Sequence, residues 1–223
     1  MPAAEDPIAC HGNAMRTEIS PSLSTAIKRL ALRGAGIRHR VIADGDEHAL
    51  LPAEAGKFAS SVAKVRRASG AARRVARELL SEFGYVDAAL PKSASGAPIW
   101  PVGVVGSLAH DATVAIAAVA RRDAIAALGI DIEPLEPFPL EIDTVATARE
   151  RRSLPGEPYA GRLLFAAKEA VYKAVHPLDG QRLEHHDVEV DLAAGHAIVR
   201  GGRTVDLRFA LADHIVTLAF LRA

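Results

Sequence analysis

A chain of 223 residues, 49% hydrophobic and 24% charged, suits one large globular domain or two of about 100 residues, and it is too apolar for an intrinsically disordered protein. Its 27 basic and 27 acidic residues cancel to a formal charge of +0, so no net field attracts nucleic acid. The single cysteine, Cys10, excludes an intrachain disulfide and a cysteine-cluster metal site, and it favours a reducing compartment. We therefore expect a cytoplasmic protein.

The N-terminus and the apolar runs predict neither a secretory signal nor a membrane span. Residues 1–20 carry Glu5 and Asp6 where a secretory signal has bases, and they contain no unbroken apolar core. Residues 1–35 are expected to form a partly disordered tail. The most apolar stretch, residues 112–130, is interrupted by three charged residues, so we expect no stable membrane insertion.

The first predicted elements are a strand and two helices. Residues 37–43 (IRHRVIA) have the composition of a short strand. A helix is expected to begin near Pro52, with Glu54 in its first turn. A second helix is predicted over residues 71–83 and ends at Gly84.

Three apolar runs of strand length follow an irregular loop over residues 91–101: VVGSLAH, TVAIAAV and IAALGIDIE. Helical periodicity returns over residues 161–175, where Leu, Ala and Val share one face. Beyond residue 187, apolar and charged residues alternate, which predicts an antiparallel meander.

This order of helices and strands predicts an α+β fold of two similar-sized halves. The first half is expected to span residues 36–127 and the second residues 128–223. Since ligands commonly bind between domains, we expect the functional cleft at the join, near Gly129.

Two acidic residues alternate with isoleucines in the run LGIDIE. In a strand, Asp131 and Glu133 lie on one face, with Cα atoms roughly 6–7 Å apart. Their like charges repel, and a shared Mg²⁺ bound to a phosphate would relieve that repulsion. The alternative is a solvated strand face.

The helix containing FAAKEAVYKA brings an acid and a base together. Glu169 and Lys173 are four residues apart and share one side of the helix. As a functional pair, Glu169 would be a third metal carboxylate or a base, and Lys173 would balance the charge of a phosphate. The alternative is an exposed salt bridge that adds little stability.

Two further segments are candidates for anion binding. The stretch from residue 64 to residue 77 has six bases and no acid, and it suits a solvated helix face, a phosphate-binding surface or a nucleic-acid contact. It contains no aromatic residue, which weakens the nucleic-acid interpretation. In GVVGSLAH, Ser107 and His110 stand beside glycines whose backbone amides can approach a phosphate closely, although such glycines also mark bulges.

A histidine pair near the C-terminal strands is less suited to a site. If His185 and His186 lie in a strand, their side chains point to opposite faces. A joint metal site is therefore not expected there.

Taken in order, PIWPVGVVGSLAH, LGIDIE and FAAKEAVYKA resemble the 4'-phosphopantetheinyl transferases, specifically the monomeric class of the enterobactin-synthetase and surfactin-synthetase type. The resemblance implies two α+β halves related by a pseudo-twofold axis, with coenzyme A and Mg²⁺, or Mn²⁺ in its place, in the cleft between them. It also implies a reaction: a serine hydroxyl of an apo carrier protein attacks the β-phosphate of coenzyme A, which gives phosphopantetheinyl-serine and 3',5'-ADP.

The resemblance assigns roles residue by residue. It implies metal carboxylates at Asp131, Glu133 and Glu169, and a phosphate contact and catalytic role at Lys173. It implies coenzyme A contacts at Ser107 and His110, and a 3'-phosphate contact at one or more of the arginines Arg66, Arg67 and Arg73. Glu169 is the candidate base, and whether it acts directly or through water stays open.

The implied partners are apo acyl, peptidyl or aryl carrier proteins of nonribosomal peptide, polyketide, siderophore or fatty-acid assembly, with no nucleic acid. A pseudo-dimeric fold implies a monomer. Two alternatives remain: a Mg²⁺-dependent hydrolase of nucleotide diphosphates, and a non-catalytic module that binds coenzyme A.

Overall fold

A computed structural model of the chain describes residues 21–223. The first 20 residues of the expected N-terminal tail lie outside this range. Residues 21–30 do not belong to a loose tail, because they form a helix and a 3₁₀ turn whose Leu23 and Leu30 are buried. Among the described residues, no helix is both long and apolar enough to cross a membrane.

The described residues form five α-helices and eight β-strands. The helices are α1 (Pro21–Ile27), α2 (Pro52–Ala55), α3 (Ala63–Glu82), α4 (Ala148–Ser153) and α5 (Ala160–Asp179). The strands are β1 (Ala35–Val41), β2 (Val104–His110), β3 (Val114–Arg121), β4 (Ile125–Pro134), β5 (Val188–Asp191), β6 (His196–Val199), β7 (Thr204–Leu211) and β8 (His214–Arg222).

The first half consists of the antiparallel sheet β1-β3-β2 and helix α3. Val75, Leu79 and Leu80 of α3 pack on this sheet, with the spacing that an amphipathic helix requires. The helix begins at Ala63 rather than at the predicted residue 71. The earlier start was not predicted because the first two turns are basic and only the later turns show the apolar spacing of a helix. The helix predicted at Pro52 is only four residues long and continues as a 3₁₀ turn.

The second half consists of the antiparallel sheet β4-β8-β7-β6-β5 and helix α5. The predicted meander of C-terminal strands is confirmed, since β5 to β8 pair in chain order. Gly129 of β4 allows α5 to approach closely: a Cβ there would lie 1.9 Å from the carbonyl oxygen of Ala170. Strand β4 therefore lies almost in backbone contact with the helix that carries Glu169 and Lys173.

The two halves share one hydrophobic core. Ile116 of the first sheet and Ile130 and Phe220 of the second belong to the same buried cluster, which α1 completes with Leu23. The α+β prediction is therefore confirmed, with β4 beginning at Ile125, just before the predicted boundary. The pseudo-twofold relation between the halves stays a prediction.

An ion pair also bridges the halves. Nε2 of His214, the first residue of β8, lies 2.9 Å from Oδ2 of Asp111 in the β2–β3 loop. Burial raises the pKa of Asp111, but hydrogen bonds from His214, Val114 and Thr113 outweigh this and lower it to about 2. Burial lowers the pKa of His214, but Asp111 and Asp213 outweigh this and raise it. We call this pair the Asp111–His214 bridge.

Candidate active site

A cavity of about 350 Å³ lies where α3 and β2 of the first half meet α5 of the second half. This cleft is lined by Ser107 and His110 on β2 and by Lys173 on α5, all three of them sequence candidates. Arg73 on α3 lines it as well, whereas Arg66 and Arg67 do not. The expected location of the site between the halves therefore agrees with the cavity.

Two cations flank one aromatic ring at the wall of the cleft. The Arg73 guanidinium carbon lies 4.9 Å from the centroid of the Phe58 ring, and Nζ of Lys92 lies 4.1 Å from it. Arg73 is only 3% exposed and donates hydrogen bonds to the carbonyls of Leu90 and Ser69. Burial, together with the charge of Arg73, lowers the pKa of Lys92. An anion placed beside these two cations would reduce their repulsion.

Lys92 is a candidate that the sequence did not reveal, because it stands alone in the loop over residues 91–101. Conversely, acids from a distant turn neutralise part of the arginine-rich stretch. Arg67 pairs with Asp44 at 2.7 Å and with Glu47 at 3.1 Å, and its hydrogen bond is the main cause that lowers the pKa of Glu47 to about 2. Arg66 donates to the carbonyl of Ser61.

The β2 wall combines close backbone approach with an imidazole. At Gly106, an added Cβ would lie 2.7 Å from the ring of Trp100, so this aromatic ring lies directly against the strand. Ser107 is 4% exposed. Burial lowers the pKa of His110, and the charges of Lys173 and Lys92 lower it further, although Asp111 opposes them. His110 therefore lines the same cleft as the two ammonium groups whose charges act on it.

Asp131 occupies the junction between β4 and α5. Its Oδ1 accepts a 2.6 Å hydrogen bond from Nζ of Lys173, whereas its buried Oδ2 has no hydrogen-bond partner. Burial raises the pKa of Asp131 to about 6, with Lys173 opposing this and the charges of Glu133 and Glu169 adding to it. The predicted sharing of one face by Asp131 and Glu133 agrees with this coupling and with the burial of Ile130 and Ile132.

The other two acids have partners of their own. Oε2 of Glu133 lies 2.9 Å from Nη1 of Arg162, and Oε1 of Glu169 lies 3.3 Å from Nε2 of His185. Within residues 21–223, no three His, Cys, Asp or Glu side chains are grouped closely enough to hold a metal ion as they stand. The donor set nevertheless fits a hard divalent cation, because it offers carboxylate oxygens, mutual repulsion and the unpaired Oδ2 of Asp131.

The histidine pair lies in a 3₁₀ turn, His185–Asp187, rather than in a strand. His185 contacts Glu169, and Nε2 of His186 lies 3.1 Å from the carbonyl oxygen of Asp143. The two rings therefore have different partners.

Comparison with known proteins agrees with this two-part site. The sequence model of the 4'-phosphopantetheinyl transferase N-terminal domain matches residues 53–120, and that of the 4'-phosphopantetheinyl transferase superfamily matches residues 127–219. The boundary between the two matches falls between β3 and the acid-bearing part of β4. The chain belongs to the 4'-phosphopantetheinyl transferase family.

Proteins from several bacteria are similar in sequence to this chain. The chain is 38% identical over 174 residues to the 4'-phosphopantetheinyl transferase Svp of Streptomyces mobaraensis, covering 70% of this chain and 71% of that protein. It is 41% identical over 145 residues to the 4'-phosphopantetheinyl transferase PptT of Mycobacterium tuberculosis, and the match covers 63% of this chain and 64% of that protein. Enterobactin synthase component D of Salmonella typhimurium is 40% identical over 84 residues, 34% of each chain. The chain thus spans just under two thirds of the length of the Mycobacterium protein.

Proposed function

We propose that this protein transfers the 4'-phosphopantetheine group of coenzyme A to a serine of an apo carrier protein and releases 3',5'-ADP. The observation that supports this most is the contact between Lys173 and Asp131, which joins a cationic cleft to a group of acids. Family membership and the names of the relatives support the same chemistry.

The cationic side of the cleft suits coenzyme A, which carries a 3'-phosphate and a diphosphate. Arg73 and Lys92 would bind the 3'-phosphate, because the buried guanidinium and the half-buried ammonium beside one ring match the charge of a phosphate dianion. Ser107 and His110 would contact the nucleotide from β2. Lys173 would bind the diphosphate, where the reaction takes place.

The acidic side would bind the metal ion. Asp131, Glu133 and Glu169 would hold Mg²⁺, or Mn²⁺ in its place, which when bound neutralises charge on the diphosphate. This grouping is supported by the charges of Glu133 and Glu169, which both raise the pKa of Asp131.

The transfer needs little covalent help from the protein. The serine Oγ forms a bond to the β-phosphorus while the bond from that phosphorus to the bridging oxygen breaks, and 3',5'-ADP leaves. The serine proton passes to a base, for which Glu169 is the candidate, directly or through water. Lys173 offsets the negative charge that develops on the bridging oxygen as it leaves with 3',5'-ADP.

The carriers would be acyl, peptidyl or aryl carrier proteins, and the protein would act as a monomer in the cytoplasm. Salmonella relatives named as enterobactin synthase components make a peptidyl or aryl carrier of siderophore assembly one choice to test. An acyl carrier tests the alternative of polyketide or fatty-acid assembly.

The decisive experiment is the intact mass of apo carriers incubated with the protein, coenzyme A and Mg²⁺. One acyl and one peptidyl carrier are used, each with and without EDTA. We expect a gain of one phosphopantetheine group that EDTA abolishes. Asp131→Ala is expected to abolish it too, whereas the control Glu136→Ala, which alters an exposed acid near the same strand, is expected to label normally.

The other outcomes separate the alternatives. Breakdown of coenzyme A without labelling of either carrier would indicate a hydrolase. Binding of coenzyme A with neither reaction would indicate a non-catalytic module. Full labelling of a carrier by the Asp131→Ala variant would refute the proposed metal role of Asp131.

A further inference from the structure

The environment of Glu169 contains a histidine that the proposed reaction does not use. Nε2 of His185 lies 3.3 Å from Oε1 of Glu169, and both side chains are about one-third exposed, at 34% and 32%. They line a second cavity of about 420 Å³. Tyr172 lines both this cavity and the cleft, whereas Glu169 lines only this cavity.

The backbone of His185 is fixed to the same helix that carries Glu169. Nζ of Lys168, a residue only 1% exposed, donates to the carbonyl of His185 at 2.8 Å. The same ammonium donates to the carbonyl of Val145 at 2.7 Å and to Oε2 of Glu150 at 2.8 Å. Two consecutive residues of α5 therefore contact His185: Lys168 binds the backbone carbonyl of His185, and Glu169 contacts its imidazole ring.

The ring of His185 is held by packing as well. Phe165, one helical turn before Glu169, meets the imidazole edge-on with 5.5 Å between the ring centroids. Phe138 contacts Phe165 in turn, with 5.6 Å between the two ring centroids. An imidazole with its backbone anchored and its ring packed has little freedom to rotate, so its N–H direction is set in advance.

We propose that His185 is a positioning residue for Glu169: its Nε2–H binds Oε1 of the carboxylate and so leaves Oε2 to a divalent cation. Carboxylates that bind metals are commonly held in this way by a hydrogen bond to the oxygen that does not bind the ion, and losing such a partner weakens metal affinity. The inference rests on the proposed metal role of Glu169.

The test measures binding of Mn²⁺, the probe ion, to the full-length protein by electron paramagnetic resonance titration of free Mn²⁺, with coenzyme A present and no carrier. His185→Phe keeps the ring contact with Phe165 and removes the donor, whereas His185→Gln keeps a donor and removes the ring. His186→Phe is the matched control, because its ring does not contact Glu169. Asp131→Ala reports whether the ion binds at the acids.

We expect His185→Phe to weaken Mn²⁺ binding by about 10- to 100-fold, and His185→Gln to recover most of that loss. Coenzyme A affinity, measured by calorimetry without metal, should stay unchanged in both variants. The control should match the parent protein. At saturating Mn²⁺, carrier labelling by His185→Phe should return towards the parent rate.

Unchanged Mn²⁺ affinity in His185→Phe would overturn the inference while leaving the metal proposal intact, provided that Asp131→Ala loses the ion. Equal losses in the Phe and Gln variants would also overturn it, because packing and not the hydrogen bond would then be responsible. If Asp131→Ala binds Mn²⁺ as the parent does, the metal proposal itself fails, and this inference fails with it. Should His185→Phe not fold, as judged by near-ultraviolet circular dichroism, His185→Gln and His185→Ala give the same comparison.

Discussion

Replacing Gly129 with alanine tests whether the approach of β4 to α5 sets the geometry of the site. The new Cβ would lie 1.9 Å from the carbonyl oxygen of Ala170 and 2.7 Å from the amide nitrogen of Ala174, where ordinary contacts begin near 3.4 Å. Both neighbours are backbone atoms of the helix and cannot rotate away. The strand and the helix must therefore separate by roughly 1 Å or more.

This separation would displace Lys173, which lies between the two contacted residues of α5, relative to Asp131 on β4. Overpacking of this kind costs about 1–3 kcal/mol in the free energy of unfolding. A misplacement of about 1 Å in a site that depends on alignment can reduce the rate about 100-fold. We therefore expect a folded but less stable Gly129→Ala variant whose kcat/KM for carrier labelling is about 100-fold lower.

The assay pairs urea unfolding with the rate of carrier labelling at a temperature where near-ultraviolet circular dichroism shows both proteins folded. Gly156→Ala is the matched control, because nothing lies within 4 Å of a Cβ at that position. A Gly129→Ala variant that labels carriers at the parent rate and unfolds at the parent urea concentration would refute the reasoning.

Three further predictions address other parts of the molecule. The Asp111–His214 bridge should stabilise the fold most between about pH 4 and 6.5. The contribution of Asp111 is lost as the pH falls from 3.8 through about 2, and that of His214 is lost as the pH rises through its raised pKa. In urea unfolding, the His214→Gln variant should therefore be less stable than the parent at pH 5.5 and much less affected at pH 9, and equal losses at both pH values would contradict the ion pair. Lys92→Ala should weaken binding of coenzyme A in calorimetry but not that of dephospho-coenzyme A, and equal weakening of both would exclude a 3'-phosphate contact. Lys168→Met should lower the free energy of unfolding by about 3–5 kcal/mol, because Glu150 would keep a buried charge without its partner, and a change below about 1 kcal/mol would contradict this.

Much of the fold could be predicted because its signals are local. The runs that became β2, β3 and β4 are long, apolar and bounded by loops, and the alternation beyond residue 187 gave the meander. Helix α1 was missed although its sequence contained a signal. Leu23, Ala26 and Ile27 have helical spacing and are buried, but the polar residues before them made the whole segment resemble a tail.

The site was predictable in part, for a different reason. Asp131 lies in the motif LGIDIE, and Glu169 and Lys173 lie in the motif FAAKEAVYKA. These motifs carried the resemblance to the family. The partners of these residues come from distant parts of the chain: Arg162 is 29 residues from Glu133. Spacing along a sequence reports neighbours on one element, whereas these contacts exist only because β4, α5 and the loops fold together.

The hydrophobic core that the two halves share limits how far the chain can be shortened. The matches to the family stop at residues 53 and 219, yet β1, which pairs along the length of β3, and α1, which completes the central cluster, both lie before residue 53. A chain shortened to the matched residues would leave β3 with an unpaired edge and would expose the buried cluster that the two sheets share. It would also lose Phe220, which is 2% exposed. A shortened chain that is meant to fold should therefore keep α1, β1 and the end of β8 in addition to the residues that match the family.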